Sequence, residues 1–421
     1  MKPIKFIHCA DLHIDSPFKG IASSNPGLAE ILRESTYQSF NKIIDIALAE
    51  KVDFVLIAGD IYDSEDKSLR AQLKFRDGLV RLVRAGIPSY VVYGNHDPLN
   101  SWSATINWPE GIHRFTSDNV ECKPAVKDGE VTANIYGISF ARADIKDNLA
   151  LQFPEAEKSI PGIGLLHANL GTNTGHQPYA PCSIKDLSSK RFEYWALGHV
   201  HKHQIIRGSN PAIVYPGCSQ SRHPNETGQK GCCLVTIISG QDPAIIFMPA
   251  DIVRYQRDSV DVSGCDNQDN VIAKIIETCE RISDEMNGCH SIVRLSLTGR
   301  TQLHEELQKG NNLEDITEKI RENFWNQQPL VWLEKLSLHT AGTYNLDALR
   351  GGKDYIADII SICDDLINSD SSSRSELKDK LSPLFSKWIG QKHLSELTPE
   401  ELNNLIIEAR DQILNQLVNS D

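Results

Sequence analysis

The chain has 421 residues, 40% of them hydrophobic and 24% charged, with a net charge of −13 at pH 7. Such a composition excludes a wholly disordered, collagen-like or small disulfide-stapled chain, and the length predicts roughly two to three domains, each burying its own core. No stretch approaches the roughly twenty apolar residues that span a bilayer. Met1–His13 also lacks the long apolar run and small-residue cleavage site of a secretory signal, so a cytoplasmic protein with no membrane partner is expected.

The ten cysteines are scattered apart from the adjacent Cys232-Cys233. With no CxxC pair to form a zinc ribbon or redox motif, reduced and mostly buried thiols are expected. Residues 1–250 hold 25 Lys+Arg against 26 Asp+Glu, whereas residues 251–421 hold 18 against 30. The acidic excess therefore belongs to the second part, which is poorly suited to carrying a phosphate backbone. The first part is nearly neutral, and two divalent cations would turn it locally positive.

In chain order, Lys5–His8 reads as a short apolar strand. Tyr37–Glu50 reads as a helix with Phe40, Ile43, Ile44 and Ala47 on one face. Phe54–Ala58 is a continuous apolar run, as expected of a strand buried on both faces. A helix over Leu69–Ala85 and a strand over Ser89–Tyr93 follow, then strands at Asn134–Ser139, Gly162–Leu166, Tyr194–Leu197, Ala212–Tyr215 and Cys232–Ile238. This alternation predicts a layered α/β domain over residues 1–250. Residues 255–340 change to a strand–helix–strand–helices–strand pattern, with helices at Val271–Met286 and Leu313–Phe324 and strands at Ser291–Thr298 and Val331–Leu338. That is the pattern of a small α/β cap domain. Residues 343–421 read as an acidic helical region, with helices over Asp354–Asn368 and Glu376–Trp388. A last helix is announced by Thr398-Pro399-Glu400-Glu401 and carries an apolar stripe of Leu402, Leu405, Ile406, Ala409, Ile413 and Leu417.

Five motifs occur in order: Asp11-Leu12-His13, Gly59-Asp60-Ile61-Tyr62-Asp63, Gly94-Asn95-His96-Asp97, His167 in Leu165-Leu166-His167-Ala168-Asn169, and Gly198-His199-Val200-His201. Nearly all follow the end of an apolar strand, where open α/β sheets build their sites. Imidazole, carboxylate and amide oxygens together suit manganese, iron or zinc. Two such ions need a bridging carboxylate, and the pair would activate water and neutralise charge on a phosphoryl group. The reaction class implied is hydrolysis of a phosphate ester.

These ordered motifs resemble the calcineurin-like metallophosphoesterases. The opening Phe6-Ile7-His8-Cys9-Ala10-Asp11-Leu12-His13-Ile14-Asp15-Ser16-Pro17-Phe18 is similar to the SbcD and YhaO type of DNA repair exonuclease, and the whole-chain plan is most similar to the YhaO type. The resemblance implies a four-layer phosphoesterase sandwich followed by an α/β cap and a helical tail. It implies two divalent ions, Mn2+ foremost with Fe2+ and Zn2+ as alternatives. One would be held by Asp11, His13, Asp60 and His201, the other by Asp60, Asn95, His167 and His199. His96 would assist the leaving oxygen as an acid, with Asp63 orienting it. The resemblance further implies a DNA substrate, an SbcC-like coiled-coil ATPase partner docking on the helical tail, and a homodimer formed through the phosphoesterase domain. Two other readings fit the same motifs: a phosphodiesterase or phosphatase acting on small nucleotides or proteins, and a non-catalytic scaffold retaining the fold. His8, beside the site, is expected to be structural or to support a ligand, and His203 to lie on the surface rather than touch substrate. His176, His223, Arg222 and Asn169 are placed in loops near the ligands, where they are weighed as phosphate-binding residues against ordinary solvated loop positions. Phe18, Tyr62, Trp102 and Trp108 are weighed as base-stacking residues.

Overall fold

The run Phe54–Ala58 is a strand buried at every position, and a strand buried on both faces requires a layer above and a layer below. The computed structural model, which describes residues 3–16, 26–63, 68–157, 159–171, 179–368, 372–386 and 397–418, shows those layers. The chain divides into two units, Met1–Gln256 and Arg257–Asp421. Phe18, His176 and Trp388 lie outside the described residues.

In the first unit the strands are β1 (Ile4–Cys9), β2 (Phe54–Ala58), β3 (Ser89–Val92), β4 (Ile112–Arg114), β5 (Glu121–Lys127), β6 (Glu130–Ile138), β7 (Gly162–His167), β8 (Tyr194–Gly198), β9 (Gln204–Arg207), β10 (Ala212–Tyr215), β11 (Gly231–Ile237) and β12 (Ala244–Pro249). They form two six-stranded sheets, in the orders β12-β11-β1-β2-β3-β4 and β5-β6-β7-β8-β10-β9. β1 to β4 run parallel, as do β6, β7, β8 and β10. The two sheets share one core, in which Phe6, Phe54 and Tyr90 meet Ile135, Leu165 and Tyr194. Phe6 stacks on Phe54 at 5.0 Å between ring centroids, and the Tyr194 ring meets Phe6 edge-on at 5.3 Å. Each such fully buried side chain contributes roughly 1.5–3 kcal/mol by leaving water.

The outer face of the first sheet is covered by α1 (Pro26–Ala49) and α2 (Leu69–Arg84), with Phe40, Phe75 and Leu79 packed on Ile7, Val55 and Ile57. The outer face of the second is covered by α3 (Ile184–Ser188) and a short turn of 3-10 helix at Leu149–Gln152, with Leu149 and Leu187 packed beside Leu166 and Trp195. The result is a four-layer helix–sheet–sheet–helix sandwich. Helix α1 starts eleven residues before the expected Tyr37. Its first half buries Ser35 and Thr36 as well as Leu28 and Leu32, which hides the apolar period. Those hydroxyls are satisfied within the helix, Ser35 Oγ donating to the Leu32 carbonyl and Thr36 Oγ1 to the Arg33 carbonyl.

In the second unit, β13 (Val253–Asp261), which begins in the first unit, joins β14 (His290–Arg300) and β15 (Val331–Ala341) in a three-stranded sheet. Helices α4 (Gln268–Glu285), α5 (His304–Gln308) and α6 (Asn312–Phe324) contribute Ile275, Leu307 and Ile320 to its core. Then follow α7 (Leu346–Arg350), α8 (Tyr355–Ile367), α9 (Ser372–Ser386) and α10 (Pro399–Val418). The last starts with a reciprocal cap: the Thr398 hydroxyl accepts from Glu401 N–H at 3.2 Å, and the Glu401 carboxylate accepts from Thr398 N–H at 2.7 Å.

The apolar stripe of α10 divides. Leu402 and Ile406 are buried against Ile359 and Cys363, while Leu405, Ile413 and Leu417 are exposed. A polar lock holds the helix to its own unit, since Asp411 accepts from Arg300 Nη2 at 2.8 Å and from Tyr344 Oη at 2.8 Å, and Asn415 accepts from Gly342 N–H at 2.9 Å. Nine of the ten cysteines are buried, Cys122 is exposed, and all ten are free of disulfides. Among the described residues no helix is long and apolar enough to cross a membrane.

Candidate metal centre

The parallel strands of both sheets end at one place. Asp11 and His13 follow β1, Asp60 and Asp63 follow β2, Asn95 and His96 follow β3, His167 ends β7, and His199 and His201 follow β8. The two first loops are zipped together by backbone bonds, Asp11 N–H to Gly59 carbonyl at 3.0 Å and His13 N–H to Asp60 carbonyl at 3.1 Å. Asp11, His13, Asp60 and His199 all have positive φ, at 51°, 43°, 52° and 105°. Such conformations cost about 1–3 kcal/mol each and persist where surrounding bonds enforce them. Gly198 permits a close approach of the two sheets, because a Cβ there would lie 1.9 Å from the Ala58 carbonyl oxygen.

The seven residues read as ligands converge. Asp11, His13 and His201 bring one ligand atom each within 4.8 Å of one another, and so do Asp60, His167 and His199. Asn95 Oδ1 lies 3.0 Å from His167 Nε2. Asp60 stands between the groups, its Oδ2 3.4 Å from His167 Nε2 and 4.0 Å from His13 Nε2. Its Oδ1 accepts from the backbone N–H of His96 at 2.9 Å.

The proton positions follow from the outer partners. His13 Nδ1 faces Asp63 Oδ1 at 2.8 Å, His201 Nδ1 faces Glu226 Oε1 at 2.6 Å, and His167 Nδ1 faces the Ala58 carbonyl at 2.8 Å. Carboxylates and carbonyls only accept, so each ring donates through Nδ1 and turns the lone pair of Nε2 inward. The Nε2 atoms of His13 and His201 then face each other at 3.3 Å, and His167 Nε2 faces the oxygens of Asn95 and Asp60. Lone pairs meeting lone pairs in a buried space are repulsive unless a cation lies among them, and this donor set suits manganese, iron or zinc. The residues present therefore fit a pair of divalent ions. At His167 a proton on Nε2, facing the Asp60 carboxylate, can stand in for such a cation. Burial draws the His167 ring down, yet the Asp60 carboxylate, aided by Asp11 and the Ala58 carbonyl, raises it to about 9. Burial opposes the charge on Asp60, but His167, His96 and His13 hold its carboxyl well below the usual range.

His96 stands at the edge, with 41% of its side chain exposed and its Nδ1 3.1 Å from Asp63 Oδ1. Burial lowers its proton affinity, but the bond to Asp63 and the charges of Asp60 and Asp63 outweigh this and raise it. Asp63 thus faces two imidazoles, His13 as well as His96, a sharing the sequence did not disclose. Its second oxygen accepts from Arg222 Nη1 at 2.6 Å and from the Ser16 hydroxyl.

Asp97 is a residue of the third motif to which the sequence assigned no role. It is fully buried and accepts from Ile61 N–H and Gly94 N–H, each at 2.7 Å, tying the β2 loop to the β3 loop. Burial and the nearby Asp60 charge raise its carboxyl to about 6. Glu226 went unremarked because nothing in its surroundings in the chain resembles a motif. The remaining expectations divide. His8 is structural, buried between Tyr194 Oη at 2.9 Å and the Leu197 carbonyl at 3.2 Å. His203 is half-buried against Phe247 rather than on the surface. His223 Nδ1 accepts from Asn225 N–H at 3.1 Å within its own turn, and Asn169 is buried with its amide on the Gly171 carbonyl. Tyr62 and Trp108 both pack on Phe75, while Trp102 is 61% exposed.

The family model of calcineurin-like phosphoesterases matches residues 4–203, and that of the metallophosphoesterase YhaO middle domain matches residues 255–341. Metallophosphoesterase YhaO of Bacillus subtilis (strain 168) is 34% identical over 418 residues, covering 98% of this chain and 98% of that protein. The DNA double-strand break repair protein Mre11 of Sulfurisphaera tokodaii is 29% identical over 325 residues, 74% of this chain and 79% of its own. A solved dimetal phosphatase from Danio rerio covers 58% of this chain and 98% of its own at 10% identity and a TM-score of 0.37.

Proposed function

The chain belongs to the calcineurin-like phosphoesterases, hydrolases of phosphate esters, and from that footing we propose that it hydrolyses phosphodiester bonds in DNA, as a nuclease working with a coiled-coil ATPase. The observation that carries the reading is the buried wall of inward-facing acceptor atoms with the protonatable His96 at its open edge. Asp11, His13, Asp60 and His201 would hold one divalent ion, and Asp60, Asn95, His167 and His199 the other, with manganese the proposed metal. When bound, the ions supply activation of the attacking water and neutralisation of phosphoryl charge. The chain does the rest. Asp63 fixes the His96 ring through Nδ1, leaving Nε2 to give its proton to the departing oxygen. The backbone bond from His96 N–H to Asp60 keeps that ring beside the cluster. The DNA substrate is supported by the Mre11 relative, which is a double-strand break repair protein by name and matches most of this chain.

The test is cleavage of an end-labelled DNA duplex and its single strand by the purified protein, with and without manganese. Manganese-dependent cutting is the expected result. Intact DNA beside a hydrolysed p-nitrophenyl phosphodiester would move the substrate to small nucleotides. No turnover of either by the metal-bound protein would favour the scaffold reading.

The ATPase partner is proposed to dock on the exposed side of α10. Deleting the helix would also strip the cover from Ile359 and Cys363 and the lock on Arg300, so a surface change is the cleaner probe. Replacing Leu405 and Ile413 together by glutamate is expected to leave melting unchanged and to abolish co-purification with the ATPase. Retention of the complex by that variant would remove α10 as the docking element.

A further inference from the structure

The segment between β10 and β11 reaches the centre from outside, and two of its side chains connect to three of the imidazoles. Glu226 Oε1 accepts a hydrogen bond from His201 Nδ1, on the ring edge opposite the Nε2 that faces His13. Its other oxygen accepts from the backbone N–H of Arg222 at 2.7 Å. Arg222 sends Nη1 to Asp63 Oδ2 at 2.6 Å and to Ser16 Oγ at 3.0 Å. Asp63 Oδ1 in turn faces both His13 and His96. One short stretch therefore holds His201 directly, and His13 and His96 through a single carboxylate.

The base of this segment is fixed. Gln220 is buried, with Oε1 accepting from Ile252 N–H at 2.9 Å and Val253 N–H at 3.2 Å, and Nε2 donating to the Val253 carbonyl at 2.6 Å. Ser39 Oγ donates to the Ser219 carbonyl at 2.6 Å, and Ser221 Oγ to the Glu226 carbonyl at 2.7 Å. An arm clamped at its root and tied back on itself can hold its two charged ends in register.

Two imidazoles on one oxygen restrain a carboxylate from one side only, and an anchor on the second oxygen stiffens it against rotation about Cβ–Cγ. The guanidinium and the Ser16 hydroxyl supply that anchor through charge-assisted bonds. We propose that Arg222 and Glu226 are positioning residues for the hydrolysis: Arg222 aims His13 and His96 by fixing the plane of Asp63, and Glu226 aims His201 and fixes its tautomer. This inference rests on the hydrolytic reading above and adds two residues to it that carry no motif.

The test uses the full-length protein with Mn2+ and bis(p-nitrophenyl) phosphate. Glu226→Gln is expected to weaken Mn2+ binding about 10- to 100-fold by calorimetry, a measurement that needs no turnover. Arg222→Met is expected to lower kcat by up to about 100-fold with KM unchanged, the scale on which a misplaced catalytic group is felt, and Arg222→Lys to recover part of the loss. In the Asp63→Asn background, Arg222→Met is expected to cost nothing further, because the two act in series. Wild-type Mn2+ affinity in Glu226→Gln would overturn the Glu226 half. An Arg222 effect on KM alone, or one that persists in full beside Asp63→Asn, would overturn the Arg222 half. Failure of the wild-type protein to turn over the reporter would count against the hydrolytic reading instead, while the calorimetry would still decide Glu226. Melting curves separate each result from loss of fold.

Discussion

His96→Ala is expected to lower phosphodiester hydrolysis about 10²- to 10⁴-fold, the usual contribution of a positioned acid, while the protein keeps its metal content and its melting temperature. Its exposure and its backbone bond separate this residue from the other histidines of the centre. Its ring is 41% exposed, whereas the rings of His13 and His167 are fully buried. Its Nδ1 is spent on Asp63, and its backbone bond to Asp60 survives any substitution other than proline. Asp63 would keep His13, Arg222 and Ser16 as partners, so its carboxylate is not left unpaired and the packing cost is small. Metal analysis beside steady-state rates checks the prediction. Loss of bound manganese together with activity would make His96 a ligand rather than an acid. Unchanged rates would place the acid elsewhere.

The sequence discloses interior strands far better than edges. Phe54–Ala58, Gly162–His167 and Tyr194–Gly198 are buried at every position, so their apolar runs have no interruption to mask them. The strands that escaped notice in the first unit are β4, β5, β9 and β12, and these are the four sheet edges. β5 contains Pro124 and alternates exposed with covered residues, a composition edges tolerate because one side of the strand donates no ladder bonds. The three residues of β4 are too few to show any period. In the same way the stripe on α10 reads as one surface in sequence, although Leu402 and Ile406 are core and Leu405 and Ile413 are not; a helix presents more apolar width than a single neighbour covers.

The site shows a similar division. The Asp, His and Asn positions read as ligands were legible because each stands within a few residues of a strand end, and all but His167 lie within two residues of a glycine or of another member of the set. Arg222 was placed near the centre without its role and Glu226 was not seen at all, because what gives them meaning is a partner 159 residues away in one case and 25 in the other. Asp97 was visible within its motif, yet its work is to join two loops, and joining is a tertiary fact.

Asp60→Asn is expected to reduce activity to that of the chelated wild-type protein and to abolish the rise in melting temperature that manganese produces. Asp60 Oδ2 lies 3.4 Å from His167 Nε2 and 4.0 Å from His13 Nε2, so in the proposed centre its charge would serve two ions at once. The amide keeps the size of the side chain and can keep the bond from His96 N–H, but it removes the charge and points either a weak acceptor or an N–H at the position an ion needs. Manganese at 100 times its dissociation constant would stabilise the wild-type fold by about 2.7 kcal/mol, a shift of roughly 5–10 °C for a domain of this size. The variant should melt at the same temperature with and without the metal. Calorimetric titration of manganese into both proteins, followed by melting curves, decides the point. If the variant still bound two ions at wild-type affinity, Asp60 would not be the bridge, and Asp11, also fully buried and accepting from His199 N–H at 3.1 Å through both oxygens, would be the carboxylate to test in its place.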